Sequence, residues 1–257
     1  MQAFEYTIKL LDHLFYAREG LSAAYTPPYL HATAVNLATS AALNLSPDTQ
    51  PLIMSDENGG QNVPRYKNSL ISDQFYFTPA RISGAVFYQP EITKGENDGY
   101  TVVTSPNLAQ KGFRGKGAGE LFRAETLNYL TPEAEFEGFL IIRDEDADKA
   151  IKFPEEFLIR LGTFRGKACL KIKALRTVRP LQDSGTASHP VDPLVSSARR
   201  GVAINMFPYP VVDNCAVNHG IWCLKSGSAF EHIIALPDKW SWPVSTRLTG
   251  TTPTEIV

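Results

Sequence analysis

Nine consecutive residues, Lys111-Gly112-Phe113-Arg114-Gly115-Lys116-Gly117-Ala118-Gly119, carry three cations and four glycines. Glycines let backbone N–H groups curl around an anion. Lysine and arginine supply charge, and Phe113 offers a flat face for a base. The pattern suits a phosphate chain, and it suits equally a hairpin tip kept in solution by its charges. A second concentration lies further on: Arg160 to Arg179 holds seven cations and no acid. Strand-like residues from Phe157, a glycine turn from Gly162 and a second strand through Lys173 make up its first part. Lys167, Lys171 and Lys173 alternate with Ala168, Leu170 and Ile172, so the lysines share one strand face with Cys169. This face could meet an anion, or it could be the solvated side of an edge strand, where lysines discourage aggregation.

Catalytic spacing is missing from the sequence. There is no G-x-x-x-x-G-K-[ST] phosphate loop, no G-x-S-x-G elbow and no H-E-x-x-H zinc helix. The histidines are His13, His31, His189, His219 and His232, none beside a convincing nucleophile. His31 stands at a helix start, where it could contact a phosphate or act as a general base in a metal-independent ribonuclease. Cys215, His219 and Cys223 are spaced by four, but in an extended segment without an obvious fourth ligand. No metal and no cofactor are indicated.

The elements that must hold these residues follow from periodicity. Phe4, Tyr6, Ile8 and Leu10 alternate as a half-buried strand, expected to run on through Leu14 to Ala17. Tyr29 to Leu43 reads as an alanine-rich amphipathic helix, with Leu30, Ala34, Leu37, Ala38, Ala41 and Leu45 toward the sheet. Residues 46–70 read as a surface insertion. Gln74 to Arg81 reads as a strand stopped by Pro79. The excursion from Ser83 to Arg123 has hairpin-like ends and exceeds what a connection needs. Phe122 to Leu130 and Phe136 to Ile142 read as further strands. Seven acids between Glu133 and Asp148 read as a solvated run. Strands at 202–207, 216–224 and 230–236 follow, and the tail from Thr246 reads as disordered.

At 257 residues, 43 % apolar and 20 % charged, the chain can bury a substantial core. A net charge of −2 excludes a generally basic nucleic-acid coat, so any such binding rests on a local patch. No apolar run approaches about 18 residues, and the N-terminus lacks a secretory pattern. Three cysteines without a CxxC pair read as reduced thiols of a cytoplasmic protein.

The order of strand, proline-bearing loop, Ala-rich helix, Tyr76-Phe77-Thr78-Pro79-Ala80 and Arg160-Leu161-Gly162-Thr163-Phe164-Arg165-Gly166-Lys167-Ala168 resembles the Cas-five family of CRISPR effector proteins. Within it, the chain is most similar to the type I-D members, the small Csc-one subunits of the Cascade complex. The resemblance implies an α+β, ferredoxin-like (RRM-like) domain of the repeat-associated RNA-binding (RAMP) superfamily over residues 1–180. It implies a β-hairpin thumb over about 85–123 and a β-rich C-terminal part over 181–257. It also implies a non-catalytic subunit that caps the 5′ handle of the guide RNA (crRNA), touches the backbone and large subunits, and works near target DNA. On that basis Lys111, Gly112, Phe113, Arg114, Gly115 and Lys116 would meet RNA from the thumb. Arg160, Arg165, Lys167 and Lys171 would form a second contact, with His31 a further candidate. Some family members cut precursor RNA, so an endoribonuclease is the alternative. The aromatic RNP motif of ordinary RRM proteins is absent, which argues against stacking on the sheet face.

Overall fold

The computed structural model describes residues 1–16, 23–45, 74–93, 125–143, 151–206, 209–224 and 231–240. The expected insertion at 46–70, the basic loop Lys111 to Gly119 and the tail from Thr246 lie outside these residues, as does 144–150 of the acidic stretch.

In chain order the elements begin with β1 (Gln2–Leu10), β2 (Ala23–Tyr25), β3 (Tyr29–Leu30) and α1 (Ala32–Ala42). Next come β4 (Phe75–Phe77), β5 (Ala80–Ser83), β6 (Tyr88–Thr93), β7 (Glu125–Leu130) and β8 (Glu135–Ile142). Then follow β9 (Glu156–Leu161), β10 (Gly166–Ala174), β11 (Arg176–Pro180) and β12 (Gly185–Thr186). The last are β13 (Val202–Ile204), β14 (Val211–Asp213), β15 (Ala216–Val217), β16 (Gly220–Leu224) and β17 (Glu231–Ala235).

The main sheet has the order β3-β5-β8-β1-β10-β9, with β4 also paired to β8. β1 is central because alternation buries Tyr6, Ile8 and Leu10 on one face while both edges find antiparallel partners, β8 and β10. The strand ends at Leu10, short of the expected Ala17. Leu14 makes only an isolated bridge to Leu130, because Leu11 and Asp12 instead turn their N–H groups onto the Lys167 carbonyl. Tyr6 lies over Gly138 of β8, where a Cβ would sit 2.5 Å from the ring, and donates to the Thr78 carbonyl at 2.6 Å.

Pro79 interrupts the next strand and does not end it. β4 and β5 both pair with β8, with Phe77 opposite Leu140 and Arg81 opposite Glu137. Four steps on one strand thus match three on the other, a one-residue bulge. Thr78 repairs the ladder: its N–H donates to the Phe139 carbonyl (2.8 Å), and its Oγ1 accepts from the Phe139 N–H (3.0 Å).

α1 crosses one face of the sheet from β4 to β9. It buries Ala32, Val35, Asn36, Thr39 and Ser40; of the expected alanine-leucine stripe, Leu30 is buried and Ala38 and Leu45 pack on the core, while Ala34 and Ala41 face solvent. Asn36 explains the rotation. Its Nδ2 donates to the carbonyls of Phe77 and Ala32 (both 2.8 Å), and its Oδ1 accepts from the Phe77 N–H (3.0 Å). A buried amide so fully bonded costs little.

The opposite face is covered at one end by the C-terminal strands. Ala3, Tyr76, Phe139 and Ile141 pack there on Ile221, Cys223, Ile234, Leu236 and Trp240. That layer holds the sheet β11-β16-β17 and the pairs β12-β15 and β13-β14. β11 ends at the expected boundary, residue 180, yet pairs with β16 of this layer. A β-rich C-terminal part is therefore present. Among the described residues the helical content is lower than a two-helix βαββαβ unit implies. The sheet keeps a strand-helix-strand crossover, β1-α1-β4, with β8 between the two strands. Ahead of β10, the described residues supply the strand β9 where such a unit has its second helix, so the fold is strand-rich.

The ends of the long excursion pair with each other. β6 runs antiparallel to β7, from Tyr88 opposite Leu130 to Thr93 opposite Glu125, and β2 joins β7 in parallel. Residues 94–124, which include Lys111, Gly112, Phe113, Arg114, Gly115 and Lys116, lie outside the described residues.

Candidate nucleic-acid interface

The β9–β10 hairpin carries the first cations of the second basic stretch. Arg160 lies directly opposite Lys167 in the ladder, and Arg165 sits on the turn between them. All three are exposed. Like charges placed opposite each other destabilise a sheet, so this pair is not explained by folding. Arg160 donates to the Arg165 carbonyl (3.2 Å), which fixes the end of the hairpin. Among the described residues, none of the three forms an ion pair. The carboxylate at the rim, Asp12, accepts the Lys167 backbone N–H at 2.9 Å.

The turn is rigid for identifiable reasons. Gly162 has φ +75°, and a Cβ there would stand 2.6 Å from the Phe15 carbonyl oxygen, so glycine is required. The same oxygen accepts from the Thr163 N–H at 2.8 Å. Arg165 itself adopts φ +53°, a conformation unfavourable for arginine.

Beside the turn is an aromatic shelf that no sequence pattern announces. Phe15, Tyr129 and Phe164 form a triangle with centroid distances of 5.2, 5.9 and 6.0 Å. Phe15 is buried beneath, while Phe164 is 54 % exposed. His13 meets Tyr129 edge to face, and its Nε2 lies 2.7 Å from Gln89 Oε1. An amide oxygen only accepts, so Nε2 carries the proton. Gln89 and Tyr129 are register partners at the base of the β6–β7 hairpin, so the long excursion leaves the sheet at this shelf. Asp12, His13, Gln89, Tyr129, Arg160, Phe164, Arg165 and Gly166 line one cleft of about 540 Å³. Their positions in the chain are too far apart for any motif to signal the cleft; only the bare combination of Phe164 with two nearby arginines is visible in the sequence.

The remaining candidates fare differently. Lys171 pairs with Glu156 at 3.3 Å. The Cys169 thiol and then Lys171 hold the Glu156 carboxyl below its usual range. β10 lies between β1 and β9 and is not an edge strand, and its Lys173 faces Glu5 across the ladder. The stretch that looks purely basic in the sequence is thus partly neutralised by acids from neighbouring strands. His31 is not at the surface: it is 2 % exposed, and burial pushes it down to about 4. Its Nδ1 accepts from the Thr33 N–H (3.1 Å) as the cap of α1, and its Nε2 faces Asp192 at 3.6 Å. The ring is a buried structural group, out of reach of a phosphate at the surface. Cys215 and Cys223 belong to different buried clusters, and His219 Nε2 contacts the Trp240 carbonyl at 2.7 Å. No cluster of metal-ligating side chains occurs among the described residues. No helix among them is long and apolar enough to cross a membrane.

Comparison with solved structures finds Cmr4. The Pyrococcus furiosus Cmr4 (Cas7) crystal structure matches at 10 % identity and a TM-score of 0.31, covering 67 % of this chain and 99 % of that one. A further Cmr4 structure gives 10 %, 0.32, 67 % and 99 %. Oligomeric Cmr4 from Pyrococcus furiosus gives 10 %, 0.33, 69 % and 100 %. No curated protein matches. The family model described as type I-D CRISPR-associated protein Cas5/Csc1 matches residues 1–248, nearly the whole length, and the chain belongs to that family.

Proposed function

We propose that this chain is a non-catalytic subunit of a type I-D CRISPR surveillance complex that holds the 5′ handle of the guide RNA. The observation that carries the reading is the like-charged pair Arg160 and Lys167, joined by Arg165, on a hairpin end that no described residue neutralises. The like-charged pairing works against the fold, and a phosphate chain would gain from it. Family membership supports the kind of complex, and the fixed turn supports a role in holding the RNA backbone. Lys111, Gly112, Phe113, Arg114, Gly115 and Lys116 would extend the contact from the excursion. The backbone and large subunits of the complex are the expected protein partners, with target DNA nearby. The endoribonuclease alternative loses one of its candidate bases, since His31 is buried and engaged as a cap.

The test is to purify the tagged chain from its own cells and sequence the RNA that accompanies it. Short RNAs that share one repeat-derived 5′ end are expected. An unselected mixture, or no RNA, would refute the reading.

A further inference from the structure

The cleft beside the cations is more than a phosphate site. Phosphate binding needs charge and N–H donors; it does not need an aromatic triangle with one ring more than half exposed. A lone exposed phenylalanine calls for no explanation. Phe164 is different, because it sits on a fixed turn, is backed by Phe15 and Tyr129, and is flanked by Arg160 and Arg165. Beside this apolar wall, polar groups line the same cleft. The His13 Nε2–H occupies Gln89 Oε1. That leaves the Gln89 amide NH2 as donor and, on a neutral ring, His13 Nδ1 as acceptor. A ring face, a donor and acceptor pair, and two guanidinium groups match the three parts of a nucleotide: base face, base edge and phosphate. The volume, about 540 Å³, falls within the roughly 300–1,000 Å³ of small-ligand sites.

We propose that this cleft takes one unpaired nucleotide of the bound RNA, with its base stacked on Phe164, its edge toward Gln89 and His13, and its phosphates on Arg160 and Arg165. This rests on the RNA-holding reading above and adds to it a point at which the protein reads a base, not only the backbone. Tyr129 and Phe164 are inclined by 34° at 6.0 Å, too close for a base to pass between them. The base therefore lies on the outer face of Phe164. A peptide segment would fit the aromatic wall less well, since the flanking charge is all cationic apart from Asp12.

The experiment uses the complex purified from its own cells. Zero-length ultraviolet crosslinking of its own RNA, followed by mass spectrometry, is expected to place a nucleotide adduct on the peptide holding Phe164 or Tyr129. With synthetic RNA of the recovered sequence, Phe164→Leu is expected to weaken binding roughly 5- to 150-fold, the effect of losing one base–aromatic stack. Phe164→Tyr should restore most of it. Gln89→Ala, on an exposed strand position, gives an independent variant and should weaken binding to the crosslinked base. Both effects should vanish when that nucleotide is made abasic, as coupled groups require. Full RNA retention with adducts only elsewhere, or with Phe164→Leu equal to the unaltered protein, would overturn the base site and leave the RNA-holding reading intact. Adducts in the cleft from target DNA or from a neighbouring protein alone would also overturn it. Absence of any RNA would remove both readings together.

Discussion

Replacing Arg160, Arg165 and Lys167 together by glutamine tests whether these cations serve RNA or the fold. Two quantities should respond differently. Arg160 and Lys167 face each other across the β9–β10 ladder, so neutralising them removes a repulsion, while the Arg160 bond to the exposed Arg165 carbonyl is lost. Cross-strand like charges cost roughly 0.2–1 kcal/mol, about what one exposed hydrogen bond supplies, so the variant should stay within about 1 kcal/mol of the parent. Binding should change far more. Each phosphate contact on single-stranded RNA contributes about 0.7 to the salt slope. Three lost contacts should therefore flatten the slope by about 2. Over a fourfold rise in salt, from about 50 to 200 mM, the parent then loses roughly 16-fold more affinity than the variant. Filter binding of the recovered guide RNA across that range, with urea unfolding in parallel, measures both. Lys171→Gln is the internal control, since its charge is already paired with Glu156, and its slope should change by less than 1. An unchanged slope in the triple variant would refute the assignment. So would a loss of more than about 1 kcal/mol in stability, which would make the cations structural.

Three further outcomes follow from the same geometry. Gly162→Ala forces a side chain into φ +75° and onto the Phe15 carbonyl, and should lose about 2 kcal/mol or more in urea unfolding; an unchanged midpoint would refute the account of the turn. Asn36→Ala removes three buried hydrogen bonds and leaves the Phe77 N–H without a partner, which should cost about 3 kcal/mol; a loss below about 1 kcal/mol would show that the helix face is not set by this amide. Acid should destabilise the protein. His31 and His189, pushed down to about 4 by burial, both fold as neutral rings that accept backbone N–H groups, from Thr33 and Ala235. The unfolded chain takes up their protons from the ordinary histidine value of 6.5 downward, so stability is full above that pH and falls toward pH 4. Each uncompensated proton contributes about 1.4 kcal/mol per pH unit. Asp192, pushed up to about 6 by burial, opposes the trend because the folded state takes up its proton first. Asp192→Asn should therefore steepen the acid loss, and equal slopes would contradict this balance.

Some of this is legible in the amino-acid order alone. The β1 alternation and the strand-turn-strand from Phe157 to Lys173 stand out because both are local patterns with a period of two. What pairs across the sheet is not local. Nothing around Lys171 shows that Glu156 lies beside it, and nothing in β10 shows that a further strand covers its edge. Hydrophobic spacing misplaces the helix face because it treats asparagine as outward, whereas Asn36 is bonded to Phe77, 41 residues away. The aromatic shelf escapes notice for a similar reason. Phe15, Tyr129 and Phe164 come from a loop, the excursion's returning strand and a turn, and only the topology brings them together.

The distinction between paired and unpaired cations is what turns a near-neutral chain into one with a local anion site. Lys9 is matched by Glu133, Lys171 by Glu156 and Arg81 by Asp213. These exposed or half-exposed pairs each add little to stability, but they cancel field at the surface. Arg81 also donates to the Ser188 carbonyl, and Tyr29 donates to Asp213, so that pair joins the main sheet to the C-terminal layer. Arg160, Arg165 and Lys167 have no such match among the described residues, and their hairpin end is held in place by Gly162 and the bond to the Arg165 carbonyl. Rigidity matters for the energetics. A fixed group loses less freedom when it binds, so more of its attraction appears as affinity. Counting lysines and arginines along the chain weights all of them equally. Their surroundings are what separate Lys9, Arg81 and Lys171, which acids match, from the three cations that the proposed reading places on RNA.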